Sequence, residues 1–183
     1  MGNRARTLAL VSLVALAALS LQTQSIAEAH KRALDFQHLR SLDEGMRAAI
    51  DDGIRRSALF RELVAQIELS DLIVYVEPDC SMRDYVQGKL VFVTAAPPVR
   101  YLRVRIACHL TGIKQIAMLG HELQHAVEVA NAPWVVDEPS LAAEYRRIGF
   151  PSRGATPGTA FESQAAIDAG QRVLRELMLT TTN

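Results

Sequence analysis

Apolar residues along this chain fall into two kinds of spacing, and the change from one to the other outlines its elements. Phe60, Leu63, Val64 and Ile67 recur at intervals of three and four, which predicts a helix with one buried stripe. Ser57 stands ahead of that stripe and suits its N-cap, so the helix is expected from there through Leu69. Upstream, Leu34, Leu39, Leu42, Met46 and Ile50 trace a weaker helical pattern from Ala33 to about Ile54, and Gly45 and Gly53 could divide it into two short helices.

The period then shortens. Leu72-Ile73-Val74-Tyr75-Val76 is a β-branched run closed by Glu77-Pro78, and Lys89 to Thr94 is a second. After Pro97-Pro98, Arg100 to Ile106 alternates polar with apolar, which predicts a third strand whose arginines form a wet face. Short links between the three predict a small antiparallel sheet of about three strands. A longer helix follows, from about Ile113 to Ala130, with Ile116, Leu119, Leu123, Val127 and Ala130 as its core stripe; Asn131 and Pro133 stop it. Asp137-Glu138-Pro139 opens a short helix to Ile148 that Gly149 closes. Beyond a loop rich in Pro and Gly, Thr159 is expected to cap a last helix reaching about Leu179. The class implied is α+β, a small sheet packed with helices.

The first residues do not join this pattern. Arg4 and Arg6 precede an apolar stretch from Thr7 to Leu21, and Ala27-Glu28-Ala29 offers a small-x-small cleavage site. That order is a secretory signal, and the stretch is shorter than a membrane span usually needs. We expect cleavage after Ala29, a secreted or periplasmic location, and a single domain over 30–183 that keeps no stable membrane insertion. With 49% hydrophobic and 22% charged residues among 183, the chain can bury a core. Its formal net charge of +0 gives no basic surface for nucleic acid. Cys80 and Cys108 could bridge in an oxidising compartment, closing a loop of about thirty residues worth roughly 3–4 kcal/mol. Their spacing alone leaves two free thiols equally open.

Chemistry concentrates in His121-Glu122-Leu123-Gln124-His125. Histidines four apart on a helix share one face and can reach one ion. Zinc is the expected cofactor: it lowers the pKa of bound water, and a glutamate beside the first histidine can take that water's proton as it attacks a carbonyl. Glu122 is therefore the candidate catalytic base, and His121 and His125 the candidate ligands. The two histidines on an otherwise ordinary surface helix are the plainer reading. Gly120, just before the motif, leaves room for a neighbouring strand or a substrate backbone.

The His-Glu-x-x-His run resembles the zincin metallopeptidases, and the resemblance extends over the strands before this helix and the helices after it. It implies a minimal zincin-like domain and peptide-bond hydrolysis. Position 128 is Glu where the metzincin extension has Gly, and no histidine follows His125, so the third ligand has to be another group, as in the gluzincin branch. Glu128 lies seven residues past His121, about 10.5 Å along the axis, too far to share one ion comfortably and better suited to a supporting or exposed role. Glu144 follows His125 after 18 intervening residues, a spacing that resembles one gluzincin aminopeptidase family; an ion pair with Arg147 is its plainer use. Glu162, in Phe161-Glu162-Ser163-Gln164-Ala165-Ala166, resembles the Glu-x-x-Ala helix that carries the gluzincin ligand, although Thr159 to Glu162 also reads as a capping box. Glu162 is preferred, with Glu144 as the alternative, because Ala165, Ala166, Ala169 and Gly170 give its helix a smooth face for close approach to the metal helix.

Tyr145, Tyr101 and His109 are weaker candidates for stabilising an oxyanion, and Trp134 with Pro133 for lining a cleft. The leading expectation is a secreted or periplasmic zinc metallopeptidase acting on a peptide or protein substrate. The alternative, suggested by the short length of the chain left for a substrate lobe, is a noncatalytic zinc-stabilised binding module or degenerate peptidase on the same fold.

Overall fold

The structure is a computed structural model; it describes residues 37–83, 85–152 and 160–180. The expected signal segment 1–29 and the cap at Thr159 lie outside the described residues. The architecture is mixed α+β. A four-stranded sheet is built from β1 (Leu39–Arg40), β2 (Leu72–Asp79), β3 (Gly88–Ala96) and β4 (Val99–Ala107). The described helices are α1 (Glu44–Arg56), α2 (Ala58–Glu68), α3 (Gly112–Ala130), α4 (Glu138–Ile148) and α5 (Gln164–Leu179). Two short strands, β5 (Phe150–Pro151) and β6 (Phe161–Glu162), pair antiparallel between α4 and α5.

The sheet is mixed, not antiparallel, with strand order β1-β2-β4-β3. β3 and β4 form the expected hairpin across Pro97-Pro98. β2 instead lies parallel to β4, Leu72 beside Arg100 through Asp79 beside Ala107. The reason is visible at the strand ends: Cys80 follows β2, Cys108 follows β4, and the two are joined in a disulfide with Cα atoms 4.9 Å apart. A bridge between residues that each follow a strand's last residue holds those strands side by side in the same direction. The chain returns at Gly88 beside Ile106, on the side of β4 away from β2, which leaves β3 on the sheet's edge. The chain around Leu39 is also strand rather than helix: β1 pairs parallel with β2, and α1 starts only after Asp43, whose carboxylate accepts from the Met46 N–H.

Alternation puts Leu72, Val74 and Val76 of β2 and Leu102, Val104 and Ile106 of β4 on one buried face, against the helices. The opposite face carries Tyr75, Glu77, Lys89, Arg103 and Arg105, with Arg105 paired to Asp79 at 3.0 Å. Arg100 departs from the expected wet face. It shares the parity of Leu102 and is 4% exposed. Its guanidinium makes a two-pronged pair with Asp71 at 2.7 and 2.8 Å, and donates to the Val129, Ala132 and Val135 carbonyls at 3.0, 2.8 and 3.1 Å. These carbonyls belong to the end of α3 and the turn beyond it, where a cation is favoured by the helix dipole.

Helix α3 runs through the middle of the molecule and packs most extensively on α5. The contact is an interlock of two glycines. A Cβ at Gly120 of α3 would come within 2.9 Å of Val173 on α5, and one at Gly170 of α5 would come within 3.1 Å of the His121 Cβ on α3. The neighbour that Gly120 admits is therefore a helix, not a strand or a substrate. Ala166 and Ala169 are buried on the same face of α5, while Ala165 points to solvent.

Candidate metal centre

Helix α3 supplies three of the four residues of the predicted site. His121 and His125, one turn apart, have ring centroids 5.0 Å apart in an edge-on arrangement. The fourth, Glu162, does not begin the last helix as expected. It ends strand β6, and the helix is capped one residue later by Ser163, whose hydroxyl accepts from the Ala166 N–H. Extended backbone at Glu162 turns its side chain toward α3. One oxygen, Oε1, lies 3.2 Å from His121 Nε2 and 3.1 Å from His125 Nε2.

One ligand atom from each of His121, His125 and Glu162 lies within 4.8 Å of the other two, so the group could hold a metal ion. The distances suit that role. Two ligand atoms about 2.0–2.1 Å from a tetrahedrally held zinc lie about 3.3 Å from each other, close to the separations between Glu162 and each histidine. Imidazole and carboxylate are a ligand set that zinc accepts, and nickel or copper as well.

The electrostatics favour a positive charge at the centre of this group. Burial works to raise Glu162, but hydrogen bonds with His121 and His125 outweigh it and bring its carboxyl down to about 2. Burial works against a charged His125, yet hydrogen bonds to Glu128 and Glu162 and the field of Glu122 lift it to about 10. Glu122 is 3% exposed. Burial pushes its carboxyl above the ordinary value; the two histidines oppose this and Glu162 adds to it. Its neighbour is the first residue of the edge strand, Gly88, where a Cβ would collide with Glu122 Oε1. Gly88 drew no notice in the sequence. An isolated glycine at the head of a strand is nevertheless a signal of close backbone approach.

The remaining candidates are placed elsewhere. Glu144 stands outside the group: its carboxylate accepts from Trp134 Nε1 at 3.0 Å and from Arg147 Nε at 3.0 Å. Hydrogen bonds from Arg147 hold its carboxyl below the ordinary value, against the effect of burial. Trp134 is 57% exposed, so it is not a core residue. Tyr145 sits behind His125, its hydroxyl 3.0 Å from Nδ1, the ring nitrogen that points away from Glu162. Tyr101 belongs to the outer face of β4, and His109 to the turn after it. Glu128 takes the supporting place, not a ligand's, with Oε2 2.9 Å from His125 Nδ1.

No known protein family, no curated protein and no solved structure matches this chain. Among the described residues no helix is long and apolar enough to cross a membrane.

Proposed function

We propose that this protein is a zinc-dependent hydrolase of the metallopeptidase type, with His121, His125 and Glu162 as the metal ligands and Glu122 as general base. The observation that carries the reading is the approach of one Glu162 oxygen to both Nε2 atoms, beside a buried carboxylate that makes no ligand contact. A zinc ion held there would supply Lewis acidity toward a carbonyl and a lowered pKa for a water molecule. Glu122 would take the proton of the attacking water and return it to the leaving amine. Its desolvated surroundings, which favour the neutral acid, suit a group that must hold a proton between those two events. A peptide substrate is supported by the edge strand: β3 ends the sheet, and it begins at Gly88 against Glu122, so extended backbone pairing there would pass the base. The zincin resemblance and the signal-like order of residues 1–29 support the same reading, with a secreted or periplasmic location.

Purified protein is expected to carry one zinc, and Glu122→Gln to keep it while losing about 10²–10⁴-fold in cleavage of a peptide library. A zinc-free wild type, or undiminished cleavage by Glu122→Gln, would sink the proposal. Stoichiometric zinc with no cleavage by the wild type would favour a zinc-stabilised binding module.

A further inference from the structure

Glu128 is absorbed by neither the ligand set nor the base, yet it is largely buried and both of its oxygens are engaged. Oε2 lies 2.9 Å from His125 Nδ1. Oε1 accepts from the Ser163 hydroxyl at 2.6 Å. Ser163 in turn donates its backbone N–H to Glu162 Oε1 at 3.1 Å, and Glu162 Oε1 reaches His125 Nε2 at 3.1 Å. The contacts close on themselves: His125, Glu128, Ser163, Glu162 and back to His125. The ring joins α3 to the segment where β6 becomes α5.

We propose that Glu128 is a positioning residue that serves two metal ligands at once, through His125 on one oxygen and through Ser163 on the other. The inference rests on the metal centre proposed above. With the ion on Nε2 the ring keeps its one hydrogen on Nδ1, and Glu128 Oε2 stands where it accepts that hydrogen and fixes the ring's orientation. Tyr145 backs this arrangement, its hydroxyl donating to the His125 carbonyl at 3.3 Å. Through Ser163 the same carboxylate holds the residue whose N–H orients Glu162. His125 and Glu162, 37 positions apart in the chain, thus take their orientation from one anchor. A ligand set held this way is organised before the ion arrives.

The test uses the full-length protein, with zinc affinity measured by chelator competition and ligand geometry read from the visible spectrum of the cobalt form. Glu128→Ala is expected to weaken zinc binding 10–100-fold and to alter the cobalt bands. Glu128→Gln, which can still accept from Nδ1–H and donate to Ser163, should recover most of the affinity. Ser163→Ala should weaken binding as well, and Glu128→Ala with Ser163→Ala should be little worse than Glu128→Ala alone. Unchanged affinity and cobalt bands in both single alanine variants would overturn the role of Glu128 while leaving the metal centre intact. A wild type that binds neither zinc nor cobalt would overturn the metal centre and this inference together. If Glu128→Ala does not fold, Ser163→Ala and Glu128→Gln decide the matter.

Discussion

Helix α3 carries two polar clusters, and they reach electrical balance in opposite ways. At its C-terminal end one guanidinium, Arg100, satisfies a carboxylate and three backbone carbonyls. Two turns back, Glu122, Glu128 and Glu162 gather around two histidines, and none of the three is paired with Lys or Arg among the described residues. The first cluster is complete in the polypeptide. The second is acidic at its centre and could hold a cation from outside. The first should therefore govern whether the chain folds, and the second what the folded chain holds.

The sharpest way to break this contrast is Arg100→Leu. It leaves three carbonyls and Asp71 without their donor, and is expected to cost about 3–5 kcal/mol of unfolding free energy in metal-free protein, measured by urea titration. A loss under about 1 kcal/mol would mean that water replaces the guanidinium easily and the two ends do not differ. Next comes metal. Zinc at a hundred times its dissociation constant should add about 2.7 kcal/mol. Glu162→Ala should remove most of that increment; an increment that survives would place the third ligand elsewhere. Gly88→Ala probes chemistry without either cluster's stability. The added methyl would collide with Glu122 Oε1 and Cγ and with Met118 Sδ and push the carboxylate aside, so cleavage should fall about 10–100-fold with zinc content unchanged, and unaltered kcat/KM would show that the contact is idle.

The smallest effect is that of pH on Asp71. The Arg100 hydrogen bonds hold its carboxyl below 3.8, outweighing a smaller opposing effect of burial. Because the folded value is depressed, the stability it contributes is present above about pH 4 and is lost as pH falls through the folded value. Asp71 is well exposed, so the amount is under about 1 kcal/mol. Asp71→Asn should flatten the acid limb of the stability profile, and an identical profile would remove Asp71 from the cluster's balance.

Much of the helical half was legible because its signals are local. Ser57 does cap α2, and Asp137 to Gly149 does bracket α4. The His-Glu-x-x-His spacing puts two imidazoles together by helix geometry alone. What was hidden depends on partners far along the chain. Parallel pairing of β2 with β4 is invisible to strand periodicity, and becomes readable only if Cys80 and Cys108 are taken as bonded. Leu39–Arg40 is too short to show a period at all. Glu162 was assigned to a helix start because Thr159 and Ser163 are both competent caps, and only tertiary pairing with Phe150 selects the later one. Arg100 was misplaced for a different reason. Its parity with Leu102 already assigned it to the inner face, but a lone arginine there makes sense only once the end of α3 is known to be waiting for it.

The paired glycines of α3 and α5 also set a tolerance. Each helix offers one gap and fills the gap of the other, so the two fit in a single register, as keyed parts do. Sliding α5 by one residue would move Glu162 by about 1.5 Å, while a metal site admits errors of about 0.2 Å in its bonds. The interlock thus works as a gauge. It carries the regular pitch of two helices into the separation between ligands that come from different parts of the chain, with Gly120 against Val173 and Gly170 against His121 as its points of contact.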